Sequence, residues 1–587
     1  MDEQEMKLPD GTTFPLWEDE TEYTRVYHVA CGNPKASDDN PGTEKLPFKT
    51  IGRAASVLRP GEKVIVHAGI YRECVRPARG GDGPARMIAY EAAPGKKVIV
   101  KASEVWKPAC RPSTGWSIGR VSNGGKVWMA DLPPEMFVGY NPFLARNMCD
   151  EYYSYGGGWS AEHVQRFLLR RGAVFVNGRP LRQVFRVADL AANDGAFWVE
   201  EPGLRIHFRL WDDADPAKAV FEVTVREQAF APAERHLGYI RVKGFRFEHG
   251  ADGVPVPQRA LVSTTRGHHW IIEDNAIRYA NAVGLDAGAQ DWKSADQARS
   301  GCHIIRRNTV SDCGICGIAG GTGVNHTLVE DNLVERIGGL DVEPIWECAG
   351  LKFHVCEAVL IRRNVFRHIR SACGLWLDYL NRNCRVSGNV FADIETRVAA
   401  VYIEVSHEPN LVDNNIFWDI RGVRSGDQVQ GGVGCNADSN EHIVIAHNFF
   451  CQTEGHAVSI NLNQAARLVG GRVGLCRQNK VLNNVFLRCP KRILLGRRED
   501  NVSDGNLFDT TSDEAAYLIR YPDPQALLNL AGWREYYGLD EHSTQARIEA
   551  KFSVERAKLS WKACGDLPAG QPVEAMHEEQ PGPGPRL

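Results

Sequence analysis

Short apolar runs recur through the middle of the chain, and each ends on an asparagine. They read Ile271-Ile-Glu-Asp-Asn275, Ile304-Ile-Arg-Arg-Asn308, Leu328-Val-Glu-Asp-Asn332, Leu360-Ile-Arg-Arg-Asn364, Arg385-Val-Ser-Gly-Asn389, Leu411-Val-Asp-Asn-Asn415, Val444-Ile-Ala-His-Asn448 and Lys480-Val-Leu-Asn-Asn484, with Asn506 as a possible close. An apolar pair usually follows the asparagine, as in Val365-Phe366, Val390-Phe391, Ile416-Phe417 and Val485-Phe486. The asparagines are 33, 24, 32, 25, 26, 33 and 36 residues apart. The runs are short, β-branched and glycine-punctuated, so they predict strands and not the amphipathic helices of a helical solenoid. A step near 24 residues matches one coil of a right-handed parallel β-helix, and a longer step is the same coil with an inserted loop. The asparagine is expected to bond its equivalents in neighbouring coils and to adopt the left-handed turn conformation. The fold class that follows is all-β.

The flanking pattern divides the chain further. Residues 1–103 predict an N-terminal cap and the first coils, with a helix over Pro47–Leu58 and strands at Lys63–Ala68, Met87–Tyr90 and Lys97–Lys101. Over 104–235 the asparagine repeat is absent and tryptophans accumulate (Trp106, Trp116, Trp128, Trp159, Trp198, Trp211). Strict alternation in Leu204-Arg-Ile-His-Phe-Arg-Leu210 and a hairpin with Phe197–Glu200 predict an inserted antiparallel β-sandwich there. The main helix is expected over 236–520. A short helix with Asp523 as N-cap, Pro524 in its first turn and Gly538 at its end, then a Pro/Gly/Glu-rich tail, is expected over 521–587.

One strand of each coil carries the candidate chemistry. Aligned on their small residue, these strands read Gly350-Leu-Lys-Phe-His354, Gly374-Leu-Trp-Leu-Asp378, Ala400-Val-Tyr-Ile-Glu404, Gly432-Val-Gly-Cys-Asn436 and Ala457-Val-Ser-Ile-Asn461. Strand period two turns the leucines, valines and Ile403 inward. His354, Asp378, Glu404 and Asn436 then form one outward column, and Lys352, Trp376 and Tyr402 a second beside it. Asp286 in Gly284-Leu-Asp286 is a weaker member of the set. Two carboxylates on neighbouring rungs of a partly desolvated groove cannot both ionise freely, so one is expected charged and the other protonated near neutrality. That is what a two-carboxylate sugar-cleaving site requires. Charged residues on an outward strand face are also ordinary solvated surface. It is the aromatic, histidine and lysine company of Asp378 and Glu404 that favours a site. Loops at Gly338–Trp346 and Arg421–Gly431 are expected to wall it.

Composition narrows the partners. Charged residues make up 24% of the 587, apolar ones 43%, and the net charge is −4 with both signs interspersed, so no basic stripe recommends nucleic acid. No run of apolar residues is long enough to span a membrane, and the N-terminus shows no basic start followed by an apolar run, so a cytoplasmic protein is expected. The 16 cysteines mostly sit in apolar strand-like runs (Cys302, Cys356, Cys435) and are expected reduced. The lone pair Cys313 and Cys316 lacks the second pair a zinc site needs. No cofactor is expected. Asp38, Asp39 and Asn40 could hold a structural calcium, but they fit a turn better. A homo-oligomer is left open.

The stretch Gly374-Leu-Trp-Leu-Asp378-Tyr, Asn389-Val-Phe, Tyr402-Ile-Glu404-Val-Ser-His407-Glu-Pro and Val412-Asp-Asn-Asn415-Ile-Phe resembles glycoside hydrolase family 120. The similar order of parts runs from about Pro47 to about Asn506. That resemblance implies β-xylosidases on a parallel β-helix interrupted by a β-sandwich, working by a retaining mechanism. It implies Asp378 as nucleophile and Glu404 as acid/base. Trp346-Glu347-Cys-Ala-Gly350-Leu-Lys352 is similar to a family histidine–glutamate segment, with tryptophan at 346 in place of the histidine and Glu347 implied to contact sugar hydroxyls. Ser406-His407-Glu408-Pro409 stands where the family has Asn-His-Gly-Pro. The expectation is an exo-acting retaining glycosidase with Glu347, Lys352, His354, Trp376, Tyr402, His407, Asn436, Trp346 and Asp286 around the substrate, an oligosaccharide or glycoside. Two rivals share the fold: a polysaccharide lyase with Lys352 as base, and a non-catalytic carbohydrate-binding solenoid.

Overall fold

The computed structural model describes residues 6–113, 126–147, 169–253, 259–289, 300–340, 347–463, 467–511, 513–520 and 526–564. Trp116, Trp159, Trp346, Asp523, Pro524, most of the Gly338–Trp346 loop and the C-terminal tail lie outside them. Three long sheets of 13, 14 and 11 strands run the length of a right-handed parallel β-helix. Apart from the last strand of the 11-stranded sheet and one hairpin strand of the 14-stranded sheet, each pairs in parallel with its equivalent one coil on. Sheet I carries the runs that precede the asparagines, sheet II the apolar pairs that follow them, and sheet III the strands with the candidate chemistry.

The corner between sheets I and II explains the repeat. In each coil the ladder asparagine receives its neighbour's backbone N–H and side-chain amide. Asn389 Oδ1, for example, accepts from Asn364 N at 2.9 Å and Asn364 Nδ2 at 3.0 Å. Asn389 Nδ2 in turn donates to Ile361 O at 2.9 Å and to Asn415 Oδ1 at 3.1 Å. The chain runs on through Asn448 and Asn484 to Asn506, whose N–H ends on Ser543 Oγ. Each amide thus satisfies backbone groups that a sharp buried corner would otherwise orphan. The left-handed conformation falls one residue earlier than the asparagine: Asp274, Arg307, Asp331, Arg363, Asn414, His447 and Asn483 have φ between 52° and 58°. The asparagine is selected for its amide, and the residue before it bears the strain. Just inside the corner, Phe366, Phe391, Phe417, Phe450, Phe486 and Phe508 stack with centroids 4.5 to 5.3 Å apart, so one ring per coil fills the core.

The ends and flanks are covered. The first helix is Ile51–Val57, shorter than the sequence predicts, because Phe48 bridges Val29 and Thr50 caps the helix through Arg53 N. The described residues between 103 and 224 leave the solenoid and form a four-stranded and a five-stranded sheet that share one apolar core, including Trp106, Val174, Phe197, Ile206, Phe208 and Phe221. The hairpin Ala196–Glu200 with Arg205–Arg209 is antiparallel as its alternation predicts, but Arg182–Gln183 adds to the same sheet in parallel. At the far end, Ala526–Leu528 pairs antiparallel with Tyr517–Ile519, so the last helix begins later than the sequence predicts, over Leu530–Tyr537 with Asn529 as its N-cap and Gly538 as its C-cap. A hairpin of Arg547–Ser553 and Lys558–Cys564 then lays Ile548, Leu559 and Trp561 on the outer face of sheet II. Asp38 accepts from Lys49 N, Thr50 N and Thr50 Oγ1, and Asn40 Nδ2 donates to Lys35 O and Pro47 O, which is turn chemistry. The described cysteines carry free thiols. Among the described residues no helix is long and apolar enough to cross a membrane.

The N-terminal segment crosses several coils along the outside of sheet I. Lys7 O accepts from Arg385 at 2.8 Å, and Leu8 and Phe14 pack with Ile304, Leu328 and Leu360. Trp17 Nε1 donates to Cys302 O at 3.0 Å, and Asp19 pairs with Arg241 at 3.1 Å.

Removing one ladder amide strands its partners on both sides. Asn389→Ala leaves Asn364 N–H and Ile361 C=O without their acceptor and donor, so it is expected to destabilise the chain by about 2–5 kcal/mol. The measurement is the shift in urea unfolding midpoint; a shift within error would refute the ladder's role.

Candidate functional site

Sheet III places the two carboxylates. Ala349–His354 pairs with Cys373–Asp378, with Lys352 opposite Trp376 and His354 opposite Asp378. Cys373–Asp378 pairs with Ala399–Glu404, with Trp376 opposite Tyr402 and Leu377 opposite Ile403. Asp378 and Glu404 therefore project from the same face on consecutive rungs, about 4.8 Å apart along the stack. Leu351, Phe353, Leu375, Leu377, Val401 and Ile403 fill the core behind them.

The outward face is enclosed. Lys352, His354 and Trp376 are 2% exposed, Glu404 3%, Tyr402 6% and Asp378 7%. Glu347 precedes the Ala349 strand with φ 69°, and its carboxylate lies 3.1 Å from Lys352 Nζ and 3.7 Å from His354 Nε2. Asp378 Oδ2 accepts from both Lys352 Nζ and His354 Nε2 at 3.1 Å. Its Oδ1 is buried and has no hydrogen-bond partner among the described residues. Glu404 has different company. Trp376 Nε1 donates to its Oε2 at 3.0 Å, and Arg467 pairs with its Oε1. Lys352 also sits 3.5 Å over the Trp376 ring, which in turn lies 5.1 Å from that of Tyr402.

Two cations and two anions in a dry site reinforce one another. Burial favours the neutral form of each, but the charges prevail. Burial would raise the Asp378 pKa, yet Lys352 and then His354 hold the carboxyl well below the usual range. Against the same burial penalty, Lys352 and His354 bring Glu347 down to about 2. Burial would neutralise His354, but Glu347 and Asp378 raise it to about 9, and its Nδ1 lies 3.2 Å from Gly320 O. Lys352, likewise desolvated, is held protonated by Glu347 and Asp378. Among the described residues no three His, Cys, Asp or Glu side chains converge as a metal-binding group.

Other expected members stand elsewhere. Asn436 does not follow Glu404 in the column: it lies opposite Tyr402, and Asp438 is opposite Glu404. The alignment on Gly432 is two residues early, because Gly431 and Gly432, with φ of 77° and 68°, make the turn that leads back into the coil. The small residue of this rung is Gly434, so the strand reads Gly434-Cys-Asn-Ala-Asp438, the same spacing as Gly374 to Asp378. His407 Nε2 lies 3.0 Å from Val469 O and its Nδ1 3.3 Å from Glu441, whose carboxylate also meets Arg472 and Arg477. It thus belongs to a flanking cluster. Asp286 shares the Lys352 column two rungs earlier, through Ala319, and accepts from Ala260 N at 3.0 Å. Trp346 lies outside the described residues. Instead of walling the carboxylates, Arg421–Gly431 continues sheet II as an antiparallel hairpin. Chain just beyond Asn461 supplies the wall, with Arg467 on Glu404 and over the Tyr379 ring, and Val469 O at His407. Asp438 was legible from its glycine spacing. Arg467 lies in an insertion outside the repeat and carries no such signal.

The family described as a right handed beta helix region matches residues 242–450. Among solved structures, the complex of XylC with xylose is similar with a TM-score of 0.68 at 22% identity, over 92% of this chain and 89% of that chain. A protein described as a glycoside hydrolase gives 0.47 at 12% identity, over 88% of this chain and 99% of that one. The pectate lyase Pel9A gives 0.32 at 9% identity, over 86% and 82%. No curated protein sequence matches the chain.

The charge cluster has a pH signature. A folded His354 with a raised pKa adds stability that is complete below its unfolded value near 6.5 and is lost as pH rises through about 9. Glu347, held at about 2, adds stability present above its unfolded value near 4.5 and lost as pH falls through 2. The Tm difference between the wild-type chain and His354→Gln is therefore expected to be constant from pH 5 to 6.5 and to shrink between 6.5 and 9. A difference that grows over that alkaline interval would contradict the pairing.

Proposed function

We propose that this chain is a retaining, exo-acting glycoside hydrolase, β-xylosidase-like, as its family 120 resemblance implies. The observation that carries the reading is a pair of carboxylates on consecutive rungs of one enclosed column, each held by its own set of donors. Retaining enzymes need carboxyl groups about 5–5.5 Å apart, and the rung spacing of about 4.8 Å supports that class over the wider inverting one.

Asp378 is the nucleophile in this scheme. Lys352 and His354 keep it ionised through Oδ2, and Oδ1 attacks the anomeric carbon as the glycosidic bond breaks. Glu404, oriented by Trp376, gives its proton to the leaving oxygen. It then takes a proton from the water whose oxygen attacks the same carbon and frees Asp378. Glu347, Lys352 and His354 close one end of the site and offer partners for sugar hydroxyls, which favours removal of a terminal unit. The complex of XylC, a protein of like fold, with xylose supports a pentose as that unit. The lyase reading needs Lys352 neutral as a base, and the carboxylates of Glu347, Asp378 and Glu404 work against that.

The test is an aryl-glycoside panel with the product anomer followed by NMR. Asp378→Ala and Glu404→Ala are each expected to lower turnover at least about 100-fold. Azide is expected to rescue Glu404→Ala on substrates with a good leaving group. Turnover unimpaired in either variant would overturn the assignment, and inversion of the anomer would overturn the retaining mechanism.

A further inference from the structure

In an in-line displacement the leaving oxygen lies on the side of the anomeric carbon opposite the nucleophile. With Asp378 on one rung and Glu404 on the next, that side faces the later coils. The leaving portion of a substrate must therefore pass along the column beyond Glu404. The parallel register fixes what it meets there. Glu404 pairs with Asp438 and Asp438 with Asn461. One strand on, Ile460 pairs with Leu495 and Leu495 with Ile519, so the next two members of the column are Gly496 and Arg520.

These positions carry two kinds of chemistry. Asp438 is 3% exposed; its Oδ1 accepts from Ser439 Oγ at 3.0 Å and Asn463 N at 2.9 Å, and its Oδ2 lies 3.5 Å from Tyr402 Oη. A fixed carboxylate one rung past Glu404 suits hydroxyl donors of a neutral sugar. Gly496 has no side chain, and Arg520 lies back across that rung to reach Asn461 Oδ1 at 2.9 Å and Asn463 Oδ1 at 2.6 Å. Two neutral amide oxygens orient the half-buried guanidinium, and among the described residues no carboxylate pairs with it. Both contacts use Nη1, which leaves the rest of the planar fork to bind a carboxylate in two-point fashion. Its place near the Asn461 rung is about 10 Å beyond Glu404.

We propose that the substrate site extends past Glu404 along this column as a leaving-group site in which Asp438 binds a neutral sugar and Arg520 the carboxylate of a uronic acid, so that the preferred substrates have an acidic leaving portion. The proposal rests on the glycosidase reading and adds the substrate class.

The experiment uses the full chain and three substrates with one terminal sugar: a 4-nitrophenyl glycoside, a neutral trisaccharide, and a trisaccharide ending in a uronic acid. The wild-type chain is expected to show higher kcat/KM on the acidic trisaccharide than on the neutral one. That advantage should fall as salt is raised to about 0.5 M. Arg520→Gln is expected to lower the acidic-to-neutral ratio about tenfold, with Arg520→Lys between the two. Because the ratio is taken within one preparation, loss of folded protein cancels. Cleavage of all three substrates with no acidic advantage, or an unchanged ratio in Arg520→Gln, would sink the proposal alone. Failure to cleave any of them would sink the glycosidase reading with it.

Discussion

Everything in this molecule depends on parallel register, because a slip of one residue in a strand exchanges its core and outward faces. The asparagine corner is what holds that register. Its amide fits only where an equivalent amide waits in the coil before and the coil after, so each coil is indexed to its neighbours by hydrogen bonds and not merely by apolar packing. The opposite corner is tolerant. Ser371 and Ala372 turn the chain into the Asp378 strand, whereas Thr396, Arg397 and Val398 turn it into the Glu404 strand, yet Leu375 still meets Val401. The extra residue is absorbed at the bend, and the carboxylates stay in line.

That alignment concentrates charge where water is scarce. Burying Asp378 and Glu347 is costly on its own, and removing either cation would leave a desolvated anion. The solution is a matched set, with Lys352 and His354 against Glu347 and Asp378, backed by the aromatic faces of Trp376 and Tyr402. Glu404 adjoins that set, since its charge also acts on Lys352, and it has further partners in an indole N–H and an arginine from another segment. Equivalent positions on successive rungs thus acquire different partners.

Sequence pattern and structure agree where the information is local and repeated. The ladder from Asn275 to Asn506 and the faces of the strands around Asp378 and Glu404 are legible because each coil restates them. The same repetition misled at Asn436, where two glycines of an insertion imitate the small residue of a coil. Arg467 and the Arg547–Cys564 hairpin were not legible at all, since their partners are set by tertiary packing and not by any period. Arg520 hides for a related reason: the glycine between it and Asn461 breaks the visible column while the hydrogen bonds continue it.

The N-terminal segment bears on how the coils are held together. Residues 6–19 find their docking partners on coils as late as the one bearing Arg385. Met6, Leu8 and Phe14 therefore complete their apolar contacts only once the coils carrying Ile304, Leu328 and Leu360 are in place. That strap ties together coils far apart in sequence, so pulling neighbouring coils away from one another also requires stripping it from sheet I.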